Sequence, residues 1–147
     1  MKRKILLIFF WGLLTSCSGL LDWSYVLVNG YEVWHINGDD IHIGFTEDGL
    51  TLKTYLDDKL IGVPPYVTAV WHDDRYIIAR HIFPDDIADY KEGKTVAEDY
   101  YLVDSKERKS YGPYKDLNKL FIETNIPVVK NVTWVLSSEM YKFQKKY

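Results

Sequence analysis

Cysteine is nearly absent from this chain of 147 residues, which has only Cys17. A single cysteine excludes an intramolecular disulfide and the zinc sites that cysteine pairs form. The sequence also has no His-Glu-x-x-His motif, no calcium-type loop and no glycine-rich phosphate loop after a strand. Packing alone must therefore hold the fold, and we expect no catalytic residue, no metal ion and no cofactor.

Long apolar runs are missing as well. The apolar stretch Ile5–Leu14 has about half of the roughly 20 residues that a helix needs to span a bilayer. It follows Lys2-Arg3-Lys4 and leads into Leu14-Thr15-Ser16-Cys17. A basic start, a short apolar stretch and small residues before a cleavage point are typical of a secretory signal. The sequence therefore predicts a signal peptide over residues 1–16 and no transmembrane anchor.

The segment Leu14-Thr15-Ser16-Cys17 resembles the lipobox of bacterial lipoproteins. That resemblance implies a diacylglycerol on the thiol of Cys17 and cleavage by a signal peptidase between Ser16 and Cys17. Residues 17–22 would then be a lipidated tether and residues 23–147 a single exported domain. The expected location is the cell envelope, on the outer face of the plasma membrane or, in a cell with two membranes, on the outer membrane.

Basic residues are fewer than acidic ones, with 18 Lys and Arg against 21 Asp and Glu, so the net charge is −3. The predicted signal peptide contains three of the basic residues and no acidic one, so the mature chain carries −6. This balance disfavours a nucleic-acid partner, because the phosphate backbone requires a basic surface. We expect instead a membrane contact through the lipid and an unknown protein or cell-wall ligand.

Aromatic residues are abundant, with 12 Tyr and 5 Trp, and together with β-branched residues they favour strands. Turn dipeptides such as Asn29-Gly30 separate short apolar stretches. The sequence therefore predicts an α+β fold, mainly an antiparallel meander of about seven short strands. These strands are expected at 23–29, 31–36, 41–45, 50–56, 66–72, 75–83 and 98–104, with part of 128–136 as a further one.

One C-terminal helix is predicted over Asp116–Thr124 and should pack on the sheet. Its apolar residues recur at helical spacing and form one stripe, which comprises Leu117, Leu120, Phe121 and Thr124. Asp116 is a suitable N-cap, and Asn125 followed by Pro127 suits the end of a helix.

The C-terminal half runs from Tyr100-Tyr101-Leu102-Val103-Asp104 through a charged loop to Tyr111-Gly112-Pro113 and a helix before Asn125-Ile126-Pro127. Together with Asp73-Asp74-Arg75-Tyr76-Ile77-Ile78-Ala79 and the lipobox, this order resembles small bacterial lipoproteins of unknown function. The resemblance implies a strand, a Gly-Pro turn and a helix in this half. It implies no catalytic residue.

Two histidines flank the turn at 37–40, and the expected registers place His35 and His42 on one face of a hairpin. The opposite face should be core and would contain Trp34, Ile36, Ile41 and Ile43. Two imidazoles across a strand pair can bind zinc, but zinc sites have three or four ligands. We therefore favour the interpretation that both are polar residues on the solvent face of the sheet.

Three functions remain open. The favoured one is a non-enzymatic binding or structural module at the envelope, which a flat aromatic patch would support. The second is an inhibitor or immunity lipoprotein whose protruding acidic loop blocks a cationic enzyme that attacks the envelope. The third is a small hydrolase or metal-binding enzyme, for which two or three of the histidines His35, His42, His72 and His81 would have to converge in a pocket. His72 and Asp73 are otherwise expected to be solvated residues of a hairpin turn.

Overall fold

Two antiparallel sheets and a small hairpin contain the strands in the part of the chain that the computed structural model describes, which is residues 22–36, 38–127, 129 and 131–143. The predicted cleavage site and Cys17 lie outside these residues. Among the residues described, no helix combines the length and apolar character needed to cross a membrane. The predicted α+β class, mostly antiparallel with a short helix in the C-terminal half, is confirmed.

The first sheet is a meander of β1 (Trp23–Val26), β2 (Tyr31–Ile36) and β3 (Asp40–Phe45). Asn29 and Gly30 form its first turn with positive φ angles of 52° and 81°, a conformation that suits this dipeptide.

The predicted fourth strand at 50–56 is wrong over most of its length. Oδ1 of Asp48 accepts hydrogen bonds from the backbone N–H groups of Leu50 and Thr51, which holds this stretch in a turn. Only Tyr55–Leu56 (β4) forms a strand, and it pairs with Lys59–Leu60 (β5) in a separate hairpin.

The second sheet has the strand order β10-β6-β7-β8-β9. Its strands are β6 (Val67–His72), β7 (Tyr76–Ile82), β8 (Glu98–Asp104), β9 (Lys109–Tyr114) and β10 (Val135–Leu136). The expected Gly-Pro turn at residues 111–113 is wrong, because these residues lie inside β9. β9 is an edge strand, which tolerates a proline, and a Cβ on Gly112 would lie only 2.8 Å from the carbonyl oxygen of Tyr100.

The described residues form three helices, which are α1 (Ile87–Lys91), α2 (Leu117–Thr124) and α3 (Ser137–Met140), with 3-10 turns at Pro84–Asp86 and Tyr141–Phe143. The predicted helix is confirmed as α2. Oδ1 of Asp116 accepts the backbone N–H of Lys119 at 2.7 Å, and Asn125 ends the helix in the left-handed conformation with φ 54°.

The five-stranded sheet has an inner and an outer face. The inner face packs on the three-stranded sheet, and its core residues include Ile77, Ala79 and Val103. The outer face is covered by α2, with Ile78, Leu102 and Phe121 among the buried residues there.

The domain also has two ends. At one end, the start of β1 pairs with His35, which pairs with Ile41, and Tyr66 donates its backbone N–H to the carbonyl of Ile41 at 3.0 Å. Because β1 begins here, we call this the tether end. At the other end, Nδ2 of Asn29 donates to the carbonyl of Asp74 at 2.9 Å and to Oγ of Ser105 at 2.8 Å. We call this the distal end.

Candidate functional site

His35 and His42 lie on opposite faces of their sheet, so the prediction that they share a face is wrong. His35 pairs with Ile41, and His42 pairs with Trp34. The reason is that Ile36 pairs with Asp40 and leaves a three-residue connection, and one residue of register shift reverses the face of every side chain. The ring of His35 stacks on Trp23 with centroids 5.2 Å apart, whereas Nδ1 of His42 lies 2.8 Å from Oδ1 of Asp40.

The same register corrects the predicted core face of this hairpin. Val33 and Ile43 are fully buried, but Trp34 lies on the other face and donates from Nε1 to Oε2 of Glu32 at 2.7 Å. Of the residues predicted as core, Ile43 is buried, while Ile36 and Ile41 remain half-buried.

His72 ends β6, and its Nδ1 lies 3.1 Å from the carbonyl oxygen of Asp73. Asp73 and Asp74 are exposed, as expected for a hairpin turn. The turn lies one residue later than predicted, because Asp73 and Tyr76 still pair through a backbone hydrogen bond of 3.0 Å.

His81 and Asp99 form a buried polar pair that sequence reasoning missed. They are direct partners across β7 and β8, and only 6% of His81 and 0% of Asp99 are exposed. Burial lowers the pKa of His81, while a hydrogen bond to the Pro65 carbonyl and the charge of Asp99 oppose that shift. Oδ1 of Asp99 accepts a hydrogen bond from Nζ of Lys115 at 2.8 Å.

The remaining polar atoms of this pair, Nδ1 of His81 and Oδ2 of Asp99, have no hydrogen-bond partner. The sequence contains one signal for this pair. His81 lies two residues after Ala79, and Asp99 lies two residues before Tyr101, so both polar residues occupy inward positions of adjacent strands. Within the described residues, no group of three or more His, Cys, Asp or Glu side chains is placed to hold a metal ion.

An open groove of about 160 Å³ lies on the outer face, between the five-stranded sheet and the chain that follows α2. Two of its aromatic residues, Trp71 and Tyr76, come from the two strands that flank the Asp74-Arg75 turn. Ile126 and Pro127 form the opposite wall. The remaining lining residues are Asp73, Ile78, Leu102, Phe121 and Val129.

Asp73 is the acidic residue of this groove. Its Oδ1 accepts the backbone N–H groups of Arg75 at 2.8 Å and Tyr76 at 2.6 Å, which fixes the carboxylate at the turn. Its Oδ2 accepts no hydrogen bond from the residues described. Arg75 lies near the groove, with its guanidinium carbon 5.0 Å from the Tyr76 ring centroid, but its charge is paired with Asp104 at 2.6 Å. The groove therefore combines aromatic walls with an available negative charge.

Sequence reasoning identified Asp73 only as a turn residue. Nothing in the spacing indicated that Ile126 and Pro127 would fold back over the outer face beside Trp71, so the groove was missed.

The β4–β5 hairpin places two exposed apolar side chains beside an acidic turn. Tyr55 is 58% exposed and Leu56 is 40% exposed, and the turn between the strands is Asp57-Asp58. Both aspartates have positive φ angles, 47° and 62°, as a tight hairpin turn requires.

No curated protein and no solved structure matches this chain. One family model does match, over residues 28–136, and this range contains both the groove and the His81–Asp99 pair. This match confirms the expected resemblance to a family of unknown function. The chain belongs to DUF3997, a family of proteins of unknown function.

Proposed function

We propose that this protein is a lipoprotein, held at the bacterial cell envelope through lipid on Cys17, and that it acts there as a non-enzymatic binding module. The observation that carries the proposal is the outer-face groove, whose aromatic walls stand beside the available carboxylate oxygen of Asp73. Its volume of about 160 Å³ suits a single side chain, because pockets for drug-sized ligands measure about 300–1,000 Å³.

The chemistry of the groove favours an ammonium group on a short apolar stem. Trp71 and Tyr76 offer apolar contact to the stem and cation–π attraction to the charge, and Asp73 offers a counter-ion. The lysine side chain of an envelope peptide or protein has this form. The acidic surface of the mature chain favours the approach of such a partner.

The position of the groove supports the same proposal. Asp73 precedes the turn that Asn29 contacts at the distal end, whereas β1 begins at the tether end. A ligand in the envelope would therefore reach the groove on the side of the domain that faces away from the lipid.

The four histidines give less support to an enzyme. His35 and His42 lie on opposite faces of the small sheet, His72 lies at the distal end of β6, and His81 is buried beside Asp99. The third function required these side chains to converge, and their positions are separate.

The inhibitor remains as a second candidate because of the β4–β5 hairpin. Its Asp57-Asp58 turn is flanked by the exposed side chains of Tyr55 and Leu56. A cationic enzyme with an open cleft is the partner that such a hairpin fits. Asp57→Asn with Asp58→Asn would weaken that complex and leave ligand binding in the groove unchanged.

Anchoring is tested by Cys17→Ser in cells, with Ser18→Ala as the matched control. We expect the control to incorporate labelled palmitate and to remain in the membrane fraction. The Cys17→Ser protein should incorporate no label and should either leave the membrane or stay uncut. Membrane attachment of a processed Cys17→Ser protein would refute the lipid anchor.

Binding is tested with two ligands that differ only in the ammonium group, Nα-acetyl-lysine methylamide and Nα-acetyl-norleucine methylamide. Tryptophan fluorescence should show that the lysine compound binds about tenfold more tightly than the norleucine compound. This factor corresponds to the combined free energy of one exposed ion pair and one cation–π contact. Asp73→Asn preserves the Oδ1 acceptor of the turn and should reduce this preference to about threefold, the share of the cation–π contact, whereas Asp58→Asn should retain the full preference. Equal binding of both compounds by the unaltered protein would exclude the ammonium ligand.

A further inference from the structure

The groove on the outer face offers few hydrogen-bond acceptors to the ammonium group that the proposed function places there. The indole of Trp71 can only donate, so the side-chain acceptors of the lining are those of Asp73 and Tyr76. The other lining residues have side chains without a polar atom, and they are Ile78, Leu102, Phe121, Ile126, Pro127 and Val129.

A primary ammonium group needs more acceptors than these. It carries three N–H donors and no acceptor, and it is strongly hydrated in water. Oδ1 of Asp73 already accepts the backbone N–H groups of Arg75 and Tyr76, so Oδ2 is the oxygen that a ligand can use. At least one N–H of a bound primary ammonium would therefore lack a side-chain acceptor, and removing that N–H from water costs free energy.

A trimethylammonium group keeps the positive charge and has no N–H donor to satisfy. Its methyl groups can replace water by apolar contact, and aromatic rings attract its charge through their quadrupole. Recognition of quaternary ammonium ligands by sets of aromatic side chains is the best-known use of this attraction. The groove supplies such a set, because Trp71, Tyr76 and Phe121 line it beside the carboxylate of Asp73.

The size of the groove agrees with such a head group. Its volume is about 160 Å³. An apolar cavity of about 150 Å³ holds a benzene molecule, which is close in size to a trimethylammonium group. The head group would therefore fill the groove, and the rest of the ligand would lie at its opening.

The charges around the groove favour a cation. The guanidinium carbon of Arg75 lies 5.0 Å from the Tyr76 ring centroid, but Asp104 balances its charge at 2.6 Å. The carboxylate of Asp73 forms no ion pair within the described residues. Because Arg75 already contacts Tyr76, we expect Trp71 to be the ring that contributes most to a bound cation.

We propose that the ligand of the groove is the side chain of a lysine trimethylated at Nζ, carried by a peptide or protein of the envelope. This inference rests on the proposed function and narrows its ammonium ligand to a quaternary one. Ile126 and Pro127, which form the wall opposite the aromatic residues, offer apolar contact to an all-carbon stem. A short quaternary solute such as choline would instead place its hydroxyl beside these apolar side chains.

Calorimetric titration of the unaltered protein tests the proposal with Nα-acetyl-Nζ-trimethyl-lysine methylamide, the unmethylated lysine compound and the neutral norleucine compound. We expect the trimethylated compound to bind about fivefold more tightly than the lysine compound, which is the difference between a desolvated and an exposed cation–π contact. Choline has the same head group and should bind more weakly than the trimethylated compound. Equal binding of these two would overturn the assignment to a lysine side chain.

Substitutions of Trp71 test the role of the aromatic surface. Trp71→Leu keeps apolar bulk without a ring and should bring the affinities of the two lysine compounds to within twofold of each other. Trp71→Phe restores a ring and should keep a preference for the trimethylated compound. Trp134→Leu is the matched control, because Trp134 packs on Arg80 and Tyr100 and does not line the groove. Full preference in Trp71→Leu, or loss of preference in Trp134→Leu, would overturn the proposal.

The same titrations separate this inference from the proposed function. If both lysine compounds bind more tightly than the norleucine compound but equally to each other, the quaternary ligand is wrong and the ammonium site stands. If neither lysine compound binds more tightly than the norleucine compound, the proposed function itself fails.

Discussion

The two faces of the five-stranded sheet differ in amino-acid composition and in how completely other elements cover them. The inner face is mostly aliphatic and is sealed by the three-stranded sheet, so that Ile77, Ala79 and Val103 are fully buried. The outer face is rich in aromatic residues that stay half-buried, among them Trp71, Tyr76, Tyr100, Tyr111, Tyr114 and Trp134.

The difference arises from what covers each face. A whole sheet covers the inner face, whereas an eight-residue helix and the chain after it cover the outer face and leave the groove open. Long aromatic side chains can be buried at one edge and exposed at the other. The inner face therefore holds the fold together, and the outer face provides the surface for binding.

Phe121→Ala should have the largest effect on stability. Phe121 is 5% exposed and joins α2 to the outer face, and truncation of a buried Phe costs about 3–5 kcal/mol. That is a large share of a typical free energy of unfolding of about 5–15 kcal/mol. Thermal and urea unfolding measure the loss. Lys119→Ala on the exposed side of α2 should change little, and equal effects of the two substitutions would contradict the packing of α2 described here.

Asp104→Asn should have the next largest effect on stability. Burial opposes ionisation of Asp104, but hydrogen bonds from Arg75 and from the backbone N–H of Glu107 hold its pKa below the usual 3.8. The contribution of ionised Asp104 to stability is complete at pH values above the usual pKa of 3.8. It is lost as the pH falls through the lower pKa of the folded state. The unaltered protein should therefore lose stability below about pH 4, and the Asn variant should lose less over the same range. Parallel pH profiles would contradict this account.

Ile77→Val and Ile78→Val compare the two faces at adjacent positions. Ile→Val in a core typically costs about 0.5–1.5 kcal/mol. Ile77 faces the sealed inner core, whereas Ile78 borders the open groove. Urea unfolding should show the larger loss for Ile77→Val, and the reverse order would mean that the groove is packed as tightly as the inner face.

Substitution of His81 should have the smallest effect on stability, and the effect should be visible as a change in how stability depends on pH. Its pKa in the folded state lies below 6.5, because burial disfavours the charged ring. As the pH falls below 6.5, the unfolded chain takes up a proton before the folded chain does, so stability declines. His81→Gln should flatten the stability profile between about pH 7 and 5, and His72→Gln at the solvated turn should leave it unchanged. A profile that stays steep in His81→Gln would assign the slope to another group.

The sequence predicted the parts of the fold that local chemistry decides. Asp116 and Asn125 bound α2 as their capping preferences indicate, and Asn29-Gly30 forms the expected turn. Register was harder, because a connection longer or shorter by one residue reverses the faces of His35 and His42. The groove could not be predicted, since it depends on how the chain beyond Asn125 returns across the sheet. That return is a long-range packing choice without a local signal.

The central claim is that the outer-face groove, and not the inner core or the β4–β5 hairpin, is the ligand site. Titration of the ¹⁵N-labelled domain with Nα-acetyl-lysine methylamide, followed by NMR, tests it most directly. The account predicts the largest shifts for the indole N–H of Trp71 and the amides of Tyr76 and Ile126, with Tyr55 and Ile77 unaffected. Shifts confined to residues 55–60, or no saturable shift in the groove, would contradict it.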